Sequence, residues 1–297
     1  MTNKGVVVDV DGLRMRYGTT DVLHEVTFRA RHGEVLCLLG PNGAGKTTTI
    51  EILEGFRLRS AGRVEVLGTD PAHATESWRA RVGVVLQSWR DHGKWRVREL
   101  LAHLGSYYAP YSSERVERPW DAGELVAAVG LTEHADKKVR MLSGGQRRRL
   151  DVAIGLVGRP ELVFLDEPTA GLDPVARREF HALVQNLAAA GETTILLTTH
   201  DLHEAEKLAD RILVLDGGRI AADGTAAELA KQIAGEDEVR WTRAGKRFSR
   251  ATTESTKFTF ELFKRYGEAI EDLEVRRSSL EDTYLSLVHH AESGVAE

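Results

Sequence analysis

A glycine-rich loop between an apolar segment and a lysine constrains the fold more than any other stretch of this sequence. The segment EVLCLL leads directly into GPNGAGKTT at residues 40–48. In a phosphate-binding loop, glycines let successive backbone N–H groups point at an anion, and the following helix presents its positive end. The residues at the diagnostic spacing are Gly40, Gly45, Lys46 and Thr47. The pattern predicts a buried strand, this loop and a helix; the alternative is a glycine-rich turn that binds no ligand.

If the loop holds a nucleotide, its residues have distinct roles. Lys46 would reach the β- and γ-phosphates as a point charge, and the Thr47 hydroxyl would ligate Mg²⁺. The other nucleotide contacts are expected from the rest of the loop and the residue after Thr47, namely Gly40, Pro41, Asn42, Gly43, Ala44, Gly45 and Thr48.

A second strand carries two acids. In ELVFLDEP, four apolar residues come directly before Asp166 and Glu167. In α/β sheets, ligands bind at the carboxyl ends of the strands. We therefore expect Asp166 to hold Mg²⁺, directly or through water, and Glu167 to polarise the attacking water as a general base. On its own, the pattern also fits a strand that simply leaves the core.

Length and composition restrict the class of protein. A chain of 297 residues allows one large domain and a smaller appendage. The net charge of -5 argues against a dedicated nucleic-acid binder, so no nucleic-acid partner is expected. Cys37 is the only cysteine, which excludes an intramolecular disulfide and fits a reducing cytosol. There is no signal-peptide pattern and no stretch of roughly 20 apolar residues, so we expect that the chain does not cross a membrane alone.

Hydrophobic patterning divides the chain into regions. Residues 6–70 contain short β-rich runs, and residues 97–140 carry apolar residues at helical spacing. Residues 150–222 alternate apolar strands with amphipathic helices, which indicates a parallel sheet covered on both faces. Residues 223–297 are predicted to form a small α+β module, with strands DEVRWTR and KFTFEL and a final helix from about Leu280.

The segment LSGGQ at residues 142–146 resembles the signature motif of ABC-type ATPases. Further matches lie in the order found in that family, from residue 6 to about residue 222, and no catalytic position departs from the family pattern. These matches are Tyr17 in MRYG, Gln87 in VVLQS, Asp173 in GLDP and His200 after ILLTT.

The resemblance implies an α/β fold, the P-loop NTPase cassette of ABC proteins, over residues 1–222. Such a cassette has a mixed sheet core, an antiparallel β subdomain and an inserted helical subdomain, here at about residues 90–155, and the module at 223–297 would be additional. It also implies a dimer that holds ATP and Mg²⁺. The signature helix of one subunit would contact the γ-phosphate bound to the other subunit, through Ser143, Gly144, Gly145 and Gln146.

The same resemblance assigns roles to the other matched residues. Gln87 would contact Mg²⁺ or the water and sense a membrane partner, and His200 would donate a hydrogen bond to the γ-phosphate. Asp173 would lie in the D-loop at the nucleotide. Tyr17 would stack on adenine, although a tyrosine before glycine is also a common packing anchor.

The C-terminal residues indicate which type of ABC ATPase the sequence resembles. IEDLEVRRSSLEDTYLSLV resembles the C-terminal end of the daunorubicin-resistance type of drug-export ATPases, in which a Leu-Glu-Asp motif opens the last helix. Alternatively, Ser278 or Ser279 is an ordinary helix cap, with Glu281 and Asp282 favouring the positive helix end.

The resemblance as a whole implies an ATPase subunit, as a homodimer or paired with a related chain, at the cytoplasmic face of the membrane. A separate permease would hold it there, bind the compound and export it. An importer ATPase, and a non-transport ATPase that acts on ribosome or nucleic acid, are the alternatives. We also hypothesise that Trp89, Arg90 and Trp95 receive the coupling helix of the permease; otherwise both tryptophans pack onto the helical subdomain.

Overall fold

The structure is a computed structural model, and it describes residues 5–85, 92–191, 193–232, 237–252 and 254–276. The chain divides into two compact units, Met1–Ala221 and Ala222–Glu297, which are described separately. The helices and strands that begin in the first unit are β1 (Val6–Tyr17), β2 (Thr20–Arg31), β3 (Val35–Leu39), α1 (Lys46–Leu53), β4 (Ala61–Val66), α2 (Glu76–Arg79), β5 (Val82–Val85), α3 (Val97–Ser106), α4 (Ala122–Ala128), α5 (Gly144–Leu156), β6 (Leu162–Asp166), α6 (Pro174–Ala190), β7 (Thr194–Thr199), α7 (Leu202–Leu208), β8 (Arg211–Asp216) and β9 (Arg219–Gly224).

A six-stranded sheet forms the centre of this unit, in the order β5-β6-β7-β3-β8-β9. The first five of these strands pair in parallel. Every residue of β3 and of β7 is buried, as expected for central strands covered on both faces. The predicted parallel sheet is confirmed, and the carboxyl ends of β3, β6 and β7 lie at one edge of it.

A second, antiparallel sheet has the order β2-β1-β4. Buried and exposed side chains alternate along much of β1 and β2, so one face of each strand is apolar. That face shares a core with the six-stranded sheet, because Val10 and Phe28 belong to the same buried cluster as Leu38 and Phe164. The β-rich start of the chain therefore packs onto the sheet that carries the predicted site.

Helices α3, α4 and α5 form the region between β5 and β6. Asp121 caps α4 by accepting from the Gly123 and Glu124 N–H groups, and Ser143 caps α5. The apolar residues of α3 that the helical spacing marked, Val97, Leu100 and Leu101, are buried. Among the described residues, no helix has the length and the apolar character needed to cross a membrane.

The second unit contains α8 (Ala226–Gln232), β10 (Asp237–Arg243), β11 (Lys246–Thr252), α9 (Ser255–Tyr266) and β12 (Glu271–Arg276). Its sheet has the order β11-β10-β12. The predicted strand DEVRWTR is β10, but the predicted strand KFTFEL is wrong, because these residues lie in α9.

The reason for this error is a conflict between two periodicities. Phe258 and Phe260 alternate as in a strand, yet only Leu262 is buried in α9, and the half-buried residues Phe258, Thr259 and Tyr266 lie three or four positions from it. Helical spacing therefore decides the element over the β-propensity of phenylalanine. The helix predicted from Leu280 falls outside the described residues.

Candidate functional site

The phosphate-binding loop joins β3 to α1, as the sequence predicts. Gly40 approaches the backbone so closely that a Cβ atom would lie 2.2 Å from the Leu215 carbonyl oxygen. Gly45 has a φ of 104°, and a Cβ atom there would meet the Leu23 side chain at 2.6 Å. Both positions therefore require glycine. Of the other loop residues, Ala44 is buried, Pro41 and Thr48 are half-buried, and Asn42 and Gly43 are exposed.

Lys46 is the first residue of α1 and is only 5% exposed. Its ammonium donates to the carbonyl oxygens of Gly40, at 2.9 Å, and Pro41, at 3.1 Å. It also lies 3.3 Å from Glu167 Oε1. A buried ammonium that the loop holds beside the Glu167 carboxylate is in place to neutralise a phosphate.

Thr47 and Asp166 meet across the loop and the end of β6. The Thr47 hydroxyl donates to Asp166 Oδ2 at 3.2 Å, and the Thr198 hydroxyl donates to Asp166 Oδ1 at 2.5 Å. A hydroxyl and a carboxylate are hard oxygen ligands, and Mg²⁺ is commonly bound by one or two such protein groups together with phosphates and water. The donor set therefore fits the predicted Mg²⁺ ligands, while Gln87 falls outside the described residues.

Glu167 connects the two remaining predicted groups. Its Oε1 faces Lys46, and its Oε2 lies 3.4 Å from Nδ1 of His200. The backbone of Glu167 has a φ of 41°, in the left-handed region that a non-glycine residue rarely adopts. The structure thus brings the lysine, the carboxylate and the histidine into one chain of contacts at the edge of the sheet.

Two residues that the sequence analysis did not single out stabilise the turn that follows β6 at Glu167 and Pro168. Thr198 is fully buried, and its hydroxyl accepts from the Glu167 backbone N–H at 2.9 Å. The same hydroxyl donates to the Asp166 carboxylate, so it connects the two acidic residues. From α5, Arg148 donates to the Pro168 carbonyl oxygen at 2.6 Å. The two threonines that end the apolar run ILLTT could have indicated the role of Thr198, since a hydroxyl at a buried strand end needs a hydrogen-bond partner.

The signature residues lie at the start of α5. Ser143 accepts from the Gln146 N–H at 3.3 Å, and the Gln146 amide oxygen accepts from the Ser143 N–H at 3.1 Å, which is a capping box. A Cβ on Gly145 would lie 2.8 Å from Ala176, whereas Gly144 has open space around it. Within the described chain, Ser143 forms no hydrogen bond with the phosphate-binding loop, Glu167 or His200.

The last predicted contacts lie on other elements. Asp173 caps α6 by accepting from the Val175 and Ala176 N–H groups, each at 2.9 Å. Tyr17 is 39% exposed, and the Arg57 guanidinium lies 5.0 Å from its ring centroid. Its ring is therefore accessible for stacking.

Comparisons with known proteins identify the family of this chain. Residues 23–170 match the family described as ABC transporter. The chain is 43% identical over 235 residues to a Nod factor export ATP-binding protein I of Ralstonia nicotianae, which covers 78% of this chain and 71% of that protein. The chain belongs to the ABC transporter family, as an ATP-binding subunit.

Two further comparisons give the same result. A daunorubicin resistance ATP-binding protein of Streptomyces coeruleorubidus is 42% identical over 232 residues, covering 77% of this chain and 71% of that protein. The crystal structure of an ATP-binding cassette of an ABC transporter in its ADP conformation superposes with a TM-score of 0.67 at 24% identity, covering 77% of this chain and 94% of that one. The predicted fold class is confirmed, and as a member of this family the ABC subunit binds nucleotide and hydrolyses ATP.

Proposed function

We propose that this ABC subunit hydrolyses ATP to drive the export of a lipophilic, drug-like compound through a separate membrane permease. The observation that carries the proposal is the convergence of Lys46, Asp166, Glu167 and His200 at one sheet edge. The direction of transport is supported by its relatives, which are described as Nod factor export, daunorubicin resistance and linearmycin resistance ATP-binding proteins. In this proposal residues 1–222 form the ATPase domain, and residues 223–297 form an accessory module.

Each group at the site has one task. Lys46 binds the β- and γ-phosphates, and Glu167 orients the attacking water and accepts its proton. His200, whose side chain is 53% exposed, donates a hydrogen bond to the γ-phosphate as charge develops there. Thr47 and Asp166 would hold Mg²⁺, which when bound neutralises charge on the phosphates. Tyr17 stacks on adenine.

The signature helix supports a shared site. Ser143, Gly144 and Gly145 open α5, whose N-terminal N–H groups and helix dipole favour an anion. Since Ser143 does not bond to the catalytic groups of its own chain within the described residues, we assign its phosphate contact to a second ATPase subunit. Asp173 would lie at the same interface.

The permease would hold the subunit at the cytoplasmic face of the membrane and bind the exported compound. Of the residues hypothesised to receive its coupling helix, Trp95 is 36% exposed and stacks on His103 at 4.9 Å between ring centroids. Trp89 and Arg90 fall outside the described residues, as does Gln87. Trp95 therefore offers both a packed face and an accessible one.

ATP hydrolysis is tested with Glu167→Gln, which keeps the shape of the side chain and removes the base. We expect turnover to fall by roughly 10²–10³-fold, because general-base catalysis and the placement of the water are lost together. The variant should then form a stable dimer in the presence of ATP, and light scattering would detect this dimer. Glu133→Gln, at an exposed residue, is the matched control. Full turnover in Glu167→Gln would contradict the assignment of the base.

Export is tested in cells of the native host that lack this chain. With a panel of fluorescent lipophilic compounds, we expect higher accumulation in these cells, reversed by the wild-type chain and not by Glu167→Gln. Lower accumulation would indicate an importer. Unchanged accumulation of every compound, together with ATPase activity stimulated by nucleic acid or ribosomes, would favour a non-transport ATPase.

A further inference from the structure

A buried polar network lies directly behind the histidine of the site. Glu204, on α7, is 2% exposed, and His181, on α6, is 7% exposed. Glu204 Oε2 accepts from the Thr199 hydroxyl at 2.6 Å, and its Oε1 lies 3.5 Å from His181 Nε2. Burying a carboxylate and an imidazole costs free energy unless they are paired, so this arrangement needs a reason beyond filling space.

Thr199 is the point at which this network reaches the active site. It immediately precedes His200, and its hydroxyl accepts from the Asp201 N–H at 3.0 Å. Its carbonyl oxygen accepts from the N–H of Gly40, the first glycine of the phosphate-binding loop, at 3.2 Å. A shift of Thr199 would therefore move the histidine and disturb the loop.

A second contact holds Asp201, the residue directly after His200. Arg177, on α6, donates to Asp201 Oδ2 at 3.1 Å. Asp201 Oδ1 also accepts from the His203 and Glu204 N–H groups and so caps α7. Arg177 and His181 are four positions apart and thus lie on one face of α6, the helix that Asp173 caps.

The contact of Arg177 with Asp201 and the contacts that connect His181, Glu204 and Thr199 therefore hold the two residues directly before and after His200. The side chain of His200 is itself half exposed, and apart from the 3.4 Å contact between its Nδ1 and Glu167 Oε2, its own surroundings do little to fix its direction. A hydrogen-bond donor that serves a developing charge must be placed within a few tenths of an ångström. The position of His200 therefore depends on its two neighbours in sequence.

We propose that His181 and Glu204 are positioning residues that link α6, which starts at the D-loop residue Asp173, to the γ-phosphate-sensing His200. The proposal rests on the role assigned to His200 above. Burial lowers the pKa of the His181 imidazole, Glu204 opposes this effect, and the charges of Lys207 and Arg177 lower the pKa further. The imidazole is then neutral near pH 7, and its Nε2 faces Glu204 Oε1 at 3.5 Å.

The test compares substitutions that keep and remove the network in the full chain. His181→Leu and Thr199→Val remove a polar partner with little change of volume, whereas His181→Gln keeps a donor. We expect kcat for ATP to fall on the order of tenfold in the first two and to recover to within about threefold in His181→Gln. The dissociation constant for ATP should stay within about twofold in all three, because neither substituted side chain contacts phosphate and the bond from His200 is needed mainly as charge develops. Asn186→Ala, at an exposed residue of α6, is the control.

A double-mutant cycle with His200→Ala separates positioning from general stability. If His181 acts through His200, His181→Leu should cost less than about twofold in the His200→Ala background. The same tenfold loss in both backgrounds would overturn the proposal, as would normal kcat in both His181→Leu and Thr199→Val. If His181→Leu does not fold, Thr199→Val takes its place in the cycle. Should His200→Ala itself keep full activity, the role assigned to His200 fails instead.

Discussion

Glu54 is a carboxyl that the fold buries at the end of α1, the helix that starts with Lys46. It is 8% exposed, and burial raises its pKa to about 8, with the charges of Asp166 and Glu51 adding to the effect. In the unfolded chain the ordinary value is 4.5. Between these two values the folded state binds more protons than the unfolded state, so the free energy of unfolding falls as pH rises.

We therefore predict that Glu54→Gln stabilises the subunit at pH 8.5. The gain is a few kcal/mol at most, since a tenfold difference in proton affinity between the folded and unfolded states corresponds to about 1.4 kcal/mol. In a domain of this size, Tm rises by about 2–4 °C per kcal/mol. Near pH 4.5 the difference should largely disappear. Thermal unfolding is measured in EDTA without nucleotide, because a cation at Asp166 would change the charge that Glu54 faces. A gain that does not depend on pH would contradict this account.

The sequence predicted the residues that we propose to act at the phosphates, but not the residues that hold them in place. Lys46, Asp166 and Glu167 stand in motifs whose spacing has a chemical reason, and the structure brings them together. Glu54 and Glu204 look like ordinary charged residues of amphipathic helices. Their burial is decided by tertiary packing, which a periodic pattern cannot specify.

At the scale of elements, the parallel register of β6 and β7 organises the edge of the sheet that carries the candidate site. Asp166 lies opposite Thr198 in this register, so one hydroxyl reaches the Asp166 carboxylate and the Glu167 N–H together. Both bonds are made at a turn where Glu167 holds a left-handed backbone conformation. The end of β7 is thus a structural support for the end of β6 as well as the source of His200.

Thr198→Val should separate the effect of the two hydrogen bonds from that of side-chain packing, because valine matches the shape of threonine and lacks the hydroxyl. We predict that kcat falls on the order of tenfold, as the turn that aims Glu167 relaxes, and that stability falls by about 1–3 kcal/mol from the unpaired Glu167 N–H. Thr198→Ser keeps the hydroxyl and should retain most of the activity. Steady-state ATPase assays and urea unfolding measure the two quantities. Equal loss in both variants would mean that packing of the methyl group, and not the hydrogen bonds, is responsible.

Element types were predictable where periodicity and length agreed, and uncertain where they did not. The apolar runs of β3, β6 and β7 are too short for helices and too apolar for loops. The segment KFTFEL satisfied a strand pattern and a helix pattern at once, and only the packing of Leu262 within the second unit decides for α9. Local sequence does not contain that contact.

At the scale of the whole molecule, we predict from Lys46 and Ser143 how two ATPase subunits assemble. One chain places Lys46, Asp166, Glu167 and His200 at the sheet edge, and its Ser143 makes no hydrogen bond to them within the described residues. If each site combines Lys46 of one subunit with Ser143 of another, then Lys46→Ala and Ser143→Ala disable different halves of the same site. Each variant alone should have almost no ATPase activity.

Mixing the two variants should restore activity. At a 1:1 ratio, about half of the dimers contain one chain of each kind, and each mixed dimer has one intact site, so roughly a quarter of wild-type turnover is expected if sites act independently. A 1:1 mixture of wild type with Lys46→Ala shows whether a single intact site is sufficient: about half of wild-type turnover is expected if it is, and about a quarter, from the wild-type homodimers alone, if it is not. If that control gives about half of wild-type turnover and the mixture of the two variants gives none, the catalytic site does not combine Lys46 and Ser143 from two copies of this chain. If the wild-type chain is inactive by itself, a related chain must supply the signature helix, which is the heterodimer alternative.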